Sequence, residues 1–425
     1  MPPRGIDRGR RSYSGGTQAT VAGRKHRPDY WLVILCLIML SIGLIVVYSI
    51  SPALSKAEGV SSTHYVNKQM IAIFLSVIAF FITAKVPLAR LRSAYKALLI
   101  LGGIVTFITL IMPTNPAYPA HRWIHLGSFS FQSVELLKFA ILIWLAGMLS
   151  ERIQTGTITD STQTLKPLAY AVIALGIVVA GIQSDLGSMG VLVVMMGAMA
   201  FIAGMPLKRL FMIGGVIAII GLLAISSTPY RRERLATYLH PERDCQAAGY
   251  QACQALIAVG SGGMVGLGLG RSVQAYGYLP EPANDSIFAI YAEKFGFIGV
   301  TALLGLLVAL FGRLKAIAER APDNFSRLLV SGILAWLAIQ AMINIGAMLG
   351  LLPLKGITLP LISYGGTSVI FVAAAIGLAF QVSYYTTYGT PRISENNRGN
   401  NNENSRDGRR QRGAYHPYSG GRTRT

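Results

Sequence analysis

The sequence predicts an all-α polytopic membrane protein. About ten transmembrane helices are expected, with one long extracytoplasmic loop between spans 7 and 8. Three observations carry this. Of 425 residues, 52% are hydrophobic and only 13% are charged, against about 25% charged in soluble domains. Apolar runs recur at the length that crosses a bilayer core, roughly 17–25 residues. The basic residues lie in the short connections between those runs, where polytopic proteins concentrate them.

The elements follow in order. Residues 1–29 are basic and rich in Gly, Ser and Pro, and are expected to be a disordered tail. Trp31 to Ile50 is too long for the apolar core of a cleavable signal and reads as a retained first span. Spans are expected at about 30–50, 68–84, 95–112, 134–150, 167–183, 186–204, 210–227, 286–311, 327–350 and 360–384. Lys85, Arg90, Arg92 and Lys96 separate spans 2 and 3, and Arg152 and Lys166 separate spans 4 and 5. A tight turn, QSDLGSMG, joins spans 5 and 6, and Lys208 and Arg209 join 6 and 7. The long loop, 228–285, precedes span 8. Arg313, Lys315, Arg320 and Arg327 connect 8 to 9, and LLPLKGITLP connects 9 to 10. The membrane domain thus covers 30–388. The tail 389–425, rich in Asn, Arg and Gly, is expected to be disordered. No internal repeat stands out, which argues against an inverted-repeat transporter.

The net charge of +20 does not indicate nucleic-acid binding, because its surplus is concentrated in the two tails and the short loops and no base-reading module is present. Ten spans put both termini on one side, and the basic short loops share that side, so it is expected to be cytoplasmic. The long loop then lies outside, with its charges balanced. Cys36 falls within a span and reads as packing. Cys245 and Cys253, on one helix, would be about 12 Å apart, too far for a bridge. An unbridged pair is therefore expected, with a bridge as the alternative. His121 and His125 have helical metal spacing but no third ligand, and read as an interfacial loop. The run GSGGMVGLGLGRS, Gly260 to Ser272, lacks both the Walker A and the dinucleotide patterns. It reads as a flexible segment that lets backbone approach a ligand or a helix, with phosphate binding as a weaker alternative.

The polar residues at span ends are the functional candidates. Glu135 and Lys138 open span 4, Asp185 lies in the turn between spans 5 and 6, Asp285 opens span 8, and Lys355 lies between spans 9 and 10. All fall at the outer depth of the expected topology, as a site for outer-leaflet chemistry requires. A transport path would string charges across the membrane. Each residue also has a structural reading: an ion pair for Glu135 and Lys138, helix caps for Asp185 and Asp285, and an interfacial snorkeller for Lys355.

Several motifs then coincide. HRWIHLGSFSFQSVELLKFA, QSDLGS, the run GGMVGLGLGRSVQAYGYLPEPANDSIFAIYAEKFGFIG and LPLKGITLPLISYGGTS resemble the successive motifs of the SEDS family of shape, elongation, division and sporulation proteins. The wording is nearer to the division branch than to the elongation branch. The resemblance implies a peptidoglycan glycosyltransferase that polymerises lipid II with undecaprenyl-pyrophosphate-linked glycan as donor. It implies action in cell division at the cytoplasmic membrane, beside a class B penicillin-binding protein and other divisome proteins. The family's essential acid maps onto Asp285; Arg122, Glu135, Lys138, Asp185, Glu281 and Lys355 take the places of its other polar motif residues. The family's QPSE and QPDLG prolines are replaced here by Ser133 and Ser184, and Asn284 stands where the family has Thr.

The implied chemistry is sugar transfer to an alcohol, which needs a base, for which Asp285 is the choice. Pyrophosphate departure needs cations or N–H donors. A divalent cation, Mg or Mn, would assist, although the sequence shows no ligand set for one, and no metal site or other cofactor is expected. The rival functions are a lipid II flippase and a division scaffold acting through the tails.

Overall fold

A computed structural model describes residues 27–112, 121–126, 129–226, 245–246 and 249–385. Most of both basic tails and much of the long loop lie outside the described residues. The helices are α1 (Tyr30–Glu58), α2 (His64–Lys85), α3 (Leu88–Ser93), α4 (Tyr95–Ile111), α5 (Ser133–Thr155), α6 (Ser161–Ile182), α7 (Leu186–Ile202), α8 (Leu207–Ser226), α9 (Tyr250–Ser261), α10 (Ile287–Glu319), α11 (Asn324–Met348) and α12 (Gly366–Ser383). Seven of them (α1, α2, α5, α6, α10, α11 and α12) are long and apolar enough to cross a membrane. The apolar helices α4 and α7 are shorter, and α8 completes ten span-like helices at the expected places.

The bundle has a core and a shell. Helices α5, α11 and α12 are buried over most of their length. The outer helices carry exposed apolar side chains, such as Phe74 and Phe81 on α2, Ile104 and Phe107 on α4, and Ile173 and Ile177 on α6. Such a surface suits lipid rather than water. The Asp29 N–H donates to Ser383 Oγ at 3.0 Å, so the first and last spans meet at one edge.

Four expectations are corrected, each for a physical reason. The last span starts at Gly366, not near 360, because Pro353 and Pro360 bar a helix and residues 352–365 run as irregular chain. Ile362 in that run lies so close to Gly43, mid-α1, that a Cβ on Gly43 would fall 2.4 Å from its carbonyl oxygen. Irregular backbone at that depth is tolerated only when protein surrounds it, and Leu359, Leu361, Ile362 and Ser363 are buried.

Span 8 is broken. Gly296 adopts φ 62°, which interrupts α10 after a first limb, Ile287–Phe295. That limb is largely buried, whereas Phe297 and Ile298 beyond the break are exposed. The glycine run of the loop packs on the break. A Cβ on Gly296 would meet Gly266 N at 2.3 Å, and one on Gly266 would meet the Lys294 carbonyl oxygen at 2.2 Å. Freed backbone groups are recovered across it: Phe297 and Ile298 donate to Gly263 and Met264, and Leu267 and Gly268 donate to Glu293 and Lys294. The run therefore serves approach to a helix.

The described end of the long loop is ordered, with α9 within it. Cys245 and Cys253 form a disulfide, with Cα atoms 5.6 Å apart. The expected separation assumed one helix, whereas Cys245 sits in a turn before α9 begins. Finally, the segment before α5 is a β-hairpin, β1 (Trp123–Leu126) pairing antiparallel with β2 (Phe129–Gln132). His121 and His125 thus do not share a helix.

Candidate functional site

Asp285 stands at the junction of the ordered loop with α10. The cap position of α10 is Ser286, whose side chain makes no cap hydrogen bond, and the Asp285 Oδ1 is buried without a hydrogen-bond partner. Its main chain is fixed from three sides. The Asp285 carbonyl accepts from Asn344 Nδ2 at 2.7 Å, and the neighbouring Ala283 carbonyl accepts from the Tyr364 N–H at 2.8 Å. Ser286 Oγ donates to the Pro280 carbonyl at 2.9 Å and accepts from Gln251 of α9 at 3.3 Å. Burial, followed by the negative charge of Glu281, pushes the Asp285 carboxyl up from 3.8 to about 7. A carboxylate with a free lone pair and a pKa near neutrality is suited to take up a proton.

The irregular run 352–365 lies against this carboxylate. A Cβ on Gly356 would be 3.9 Å from Asp285 Oδ2, which places Lys355 one residue from the contact. Two amides one turn apart on α11 hold the run. Asn344 Nδ2 donates to the Ile357 carbonyl at 2.7 Å, and Gln340 Nε2 donates to the Thr358 carbonyl at 3.0 Å. Gln340 Oε1 accepts from Trp336 at 2.8 Å and from Lys138 Nζ at 3.1 Å. Lys138 also pairs with Glu135 at 2.8 Å and sits 5.2 Å from the centre of the Trp336 ring. Glu135 and Lys138 are 3% and 2% exposed, so they form an internal pair behind the run. The ion-pair reading of these two residues describes their geometry.

Arg122 and Asp185 meet at the α6–α7 turn. Arg122 Nε and Nη2 donate to the carbonyls of Gln183 and Ser184 at 2.7 and 2.6 Å. Asp185 caps α7 by accepting from the Ser188 N–H at 2.9 Å. The next turn touches the run as well, because a Cβ on Gly187 would meet Lys355 Cβ at 3.1 Å and Ile357 at 2.8 Å. The two serines that replace family prolines are neighbours through one side chain: Gln183 Nε2 donates to Ser133 Oγ at 3.1 Å. Ser184 has φ 54°, which a proline ring forbids. This turn therefore has a conformation that the usual motif could not adopt.

Glu281 is exposed with φ 47°, accepts from the Asn284 side chain, and offers its carbonyl to the N–H groups of Asn284 and Ser286. It shapes the turn that presents Asp285. Sequence reasoning missed Gln340 and Asn344, whose polarity only the fold brings to the site. It also passed over Glu293 and Lys294, adjacent charges inside an apolar run. Buried Glu293 accepts from Ser272 Oγ and from the N–H groups of Val273 and Gln274, and Lys294 donates to the Leu269 carbonyl at 2.8 Å. Both anchor the loop that leads to Asp285. Among the described residues, no three His, Cys, Asp or Glu side chains converge as a metal-binding group.

The site joins the loop acid, the LPLKG run and the α5 pair, which are the motifs of the family resemblance. A family model described as cell cycle protein, covering FtsW, RodA and SpoVE, matches residues 30–388. The chain belongs to this family. It is 38% identical to stage V sporulation protein E of Bacillus subtilis, over 86% of this chain and 99% of that one. It is 36% identical to the probable peptidoglycan glycosyltransferase FtsW of Coxiella burnetii, over 84% and 96%. Its fold matches RodA of Thermus thermophilus with a TM-score of 0.59 and 26% identity, covering 85% of this chain and 98% of that one. A chain from a peptidoglycan synthase complex that coordinates polymerisation and crosslinking matches with a TM-score of 0.69 and 27% identity, covering 84% and 97%. Like other members of the FtsW, RodA and SpoVE family, this is a polytopic helical protein of the cytoplasmic membrane.

Proposed function

We propose that this chain is a peptidoglycan glycosyltransferase that polymerises lipid II at the outer face of the membrane, with Asp285 as general base. The observation that carries the base assignment is the Asp285 carboxylate itself: an oxygen without a partner, a pKa near 7, and a lysine-bearing run alongside. Its relatives' names supply the reaction class.

The reaction forms one bond and breaks one. The 4-hydroxyl of the incoming lipid II sugar attacks the anomeric carbon of the growing glycan. Asp285 takes the hydroxyl proton as the new C–O bond forms. The bond from the anomeric carbon to undecaprenyl pyrophosphate breaks, and its electron pair leaves with the phosphate. That developing charge calls for nearby cations. Lys355 adjoins Gly356, the residue of the run that approaches the Asp285 carboxylate; Lys138 pairs with Glu135, and Arg122 donates to two carbonyls. The last two order the site's walls. A divalent cation carried by the pyrophosphate would add to the same role.

The outer placement rests on charge. Arg92, Arg152, Arg209, Arg313 and Arg327 lie at the end of the bundle opposite Asp285, and basic residues mark the cytoplasmic side. Both termini are then cytoplasmic. The similarity to a chain of a synthase complex supports a class B penicillin-binding protein as partner, and the family's cell-cycle description supports a septal role with other divisome proteins.

The test uses purified protein with that partner and labelled lipid II. Wild type should make glycan polymer and Asp285→Ala should make none. Polymer from the variant would overturn the base assignment. Lipid movement across vesicles without any polymer would instead favour a flippase.

A further inference from the structure

We infer that Asn344 is a positioning residue that holds the proposed base, Asp285, in register with the cation-bearing run at Lys355. The inference rests on the glycosyltransferase reading of the same site.

The geometry is specific. Asn344 is 1% exposed, in the last turns of α11. Its Nδ2 donates to two main-chain carbonyls, Asp285 and Ile357, each at 2.7 Å. A carbonyl is only an acceptor, so the nitrogen, not the oxygen, must face both. The two carbonyls belong to segments 59 and 13 residues away in the chain. One belongs to the base. The other, Ile357, lies two residues after Lys355 and is the first buried residue of the irregular run. One side chain thus ties the base to the run close to Lys355, while the Tyr364 N–H bond to the Ala283 carbonyl ties the same two segments farther along the run.

The partners have few alternatives. The run 352–365 is not helical, so its carbonyls depend on side chains and turns. Gln340 performs the equivalent service one turn away for Thr358, but it connects to Lys138, not to Asp285. The Asn344 Oδ1 is buried without a partner, so the two donations come with an unsatisfied acceptor. A residue needed only to fill space would be apolar, since an unpaired buried polar atom costs free energy. Transfer rates depend on placing base and charge stabiliser together, and a misplacement of about 1 Å can cost roughly a hundredfold.

The experiment compares Asn344→Leu, which keeps the shape and loses both donations, with Asn344→Gln, which keeps the donors on a longer arm. Each is assayed as monodisperse protein with its penicillin-binding partner on labelled lipid II, alone and combined with Lys355→Ala. The expected result is a fall in kcat of roughly a hundredfold for Asn344→Leu and tenfold for Asn344→Gln, with KM within about twofold. In the Lys355→Ala background, Asn344→Leu should cost less than about a further threefold, because the partner it positions is already gone. A full, independent loss in that background overturns the inference, since a merely structural role multiplies through. Wild-type kcat in both Asn344 variants also overturns it. The two readings fail separately: an active Asp285→Asn refutes the base, whereas an inactive Asp285→Asn beside an active Asn344→Leu refutes only the positioning role.

Discussion

The two ends of the bundle handle charge in opposite ways. At the end where Asp29 meets Ser383, charges stay near the surface. Arg313 pairs with Asp29 while 42% exposed, Arg152 donates to Gln163, and Lys315 and Glu319 lie 3.8 Å apart in the open. At the Asp285 end, the charges of Glu135, Lys138, Glu293 and Lys294 are buried. There they are held by one another, by amides and by irregular backbone. Charge inside a bundle is costly unless it is paired. The basic end should therefore tolerate substitution better than the end whose charges are buried.

The contrast can be broken in graded ways. The largest effect should come from Lys138→Met, which strands Glu135 in the interior and should destabilise the protein by about 3–5 kcal/mol. Adding Glu135→Gln to it should recover most of that loss, and thermal melts in detergent would show both. Next comes Asp285→Asn. An acid whose folded pKa, about 7, lies above its unfolded value of 3.8 weakens the fold as pH rises between the two. The variant should therefore melt higher than wild type at pH 8, by at most about 4 kcal/mol, and equal it near pH 4. The smallest effect should come from Arg313→Ala, at about 1 kcal/mol or less because its guanidinium is substantially exposed. A large loss there would remove the contrast.

Much of this was legible in the sequence, because a bilayer imposes a length and a loop-charge rule on each span. The ten spans followed from those rules, as did the grouping of the candidate acids at span ends. The misreadings share a cause. Apolar composition alone marked 360–365 as span, although Pro360 and the close approach at Gly43 set the helix start at Gly366. The break at Gly296 lies two residues beyond the charges Glu293 and Lys294, which the apolar length of the span overrode. The disulfide depended on Cys245 lying outside α9, a turn that spacing alone does not reveal. Asn344 and Gln340 are amides within an apolar span, and no motif in the sequence singles them out. Their meaning arises only when the 352–365 run folds back to present carbonyls to them.

The central claim is that Asp285 accepts the proton from the attacking hydroxyl, and the pH–rate profile of Asp285→Asn beside wild type tests it most directly. Wild-type kcat should rise about tenfold per pH unit below about pH 7 and level off above it, as the carboxyl ionises. Asp285→Asn should be slower by roughly 10²–10⁴-fold and should lack that limb. A variant that keeps the limb, or polymerises at the wild-type rate, would contradict the account.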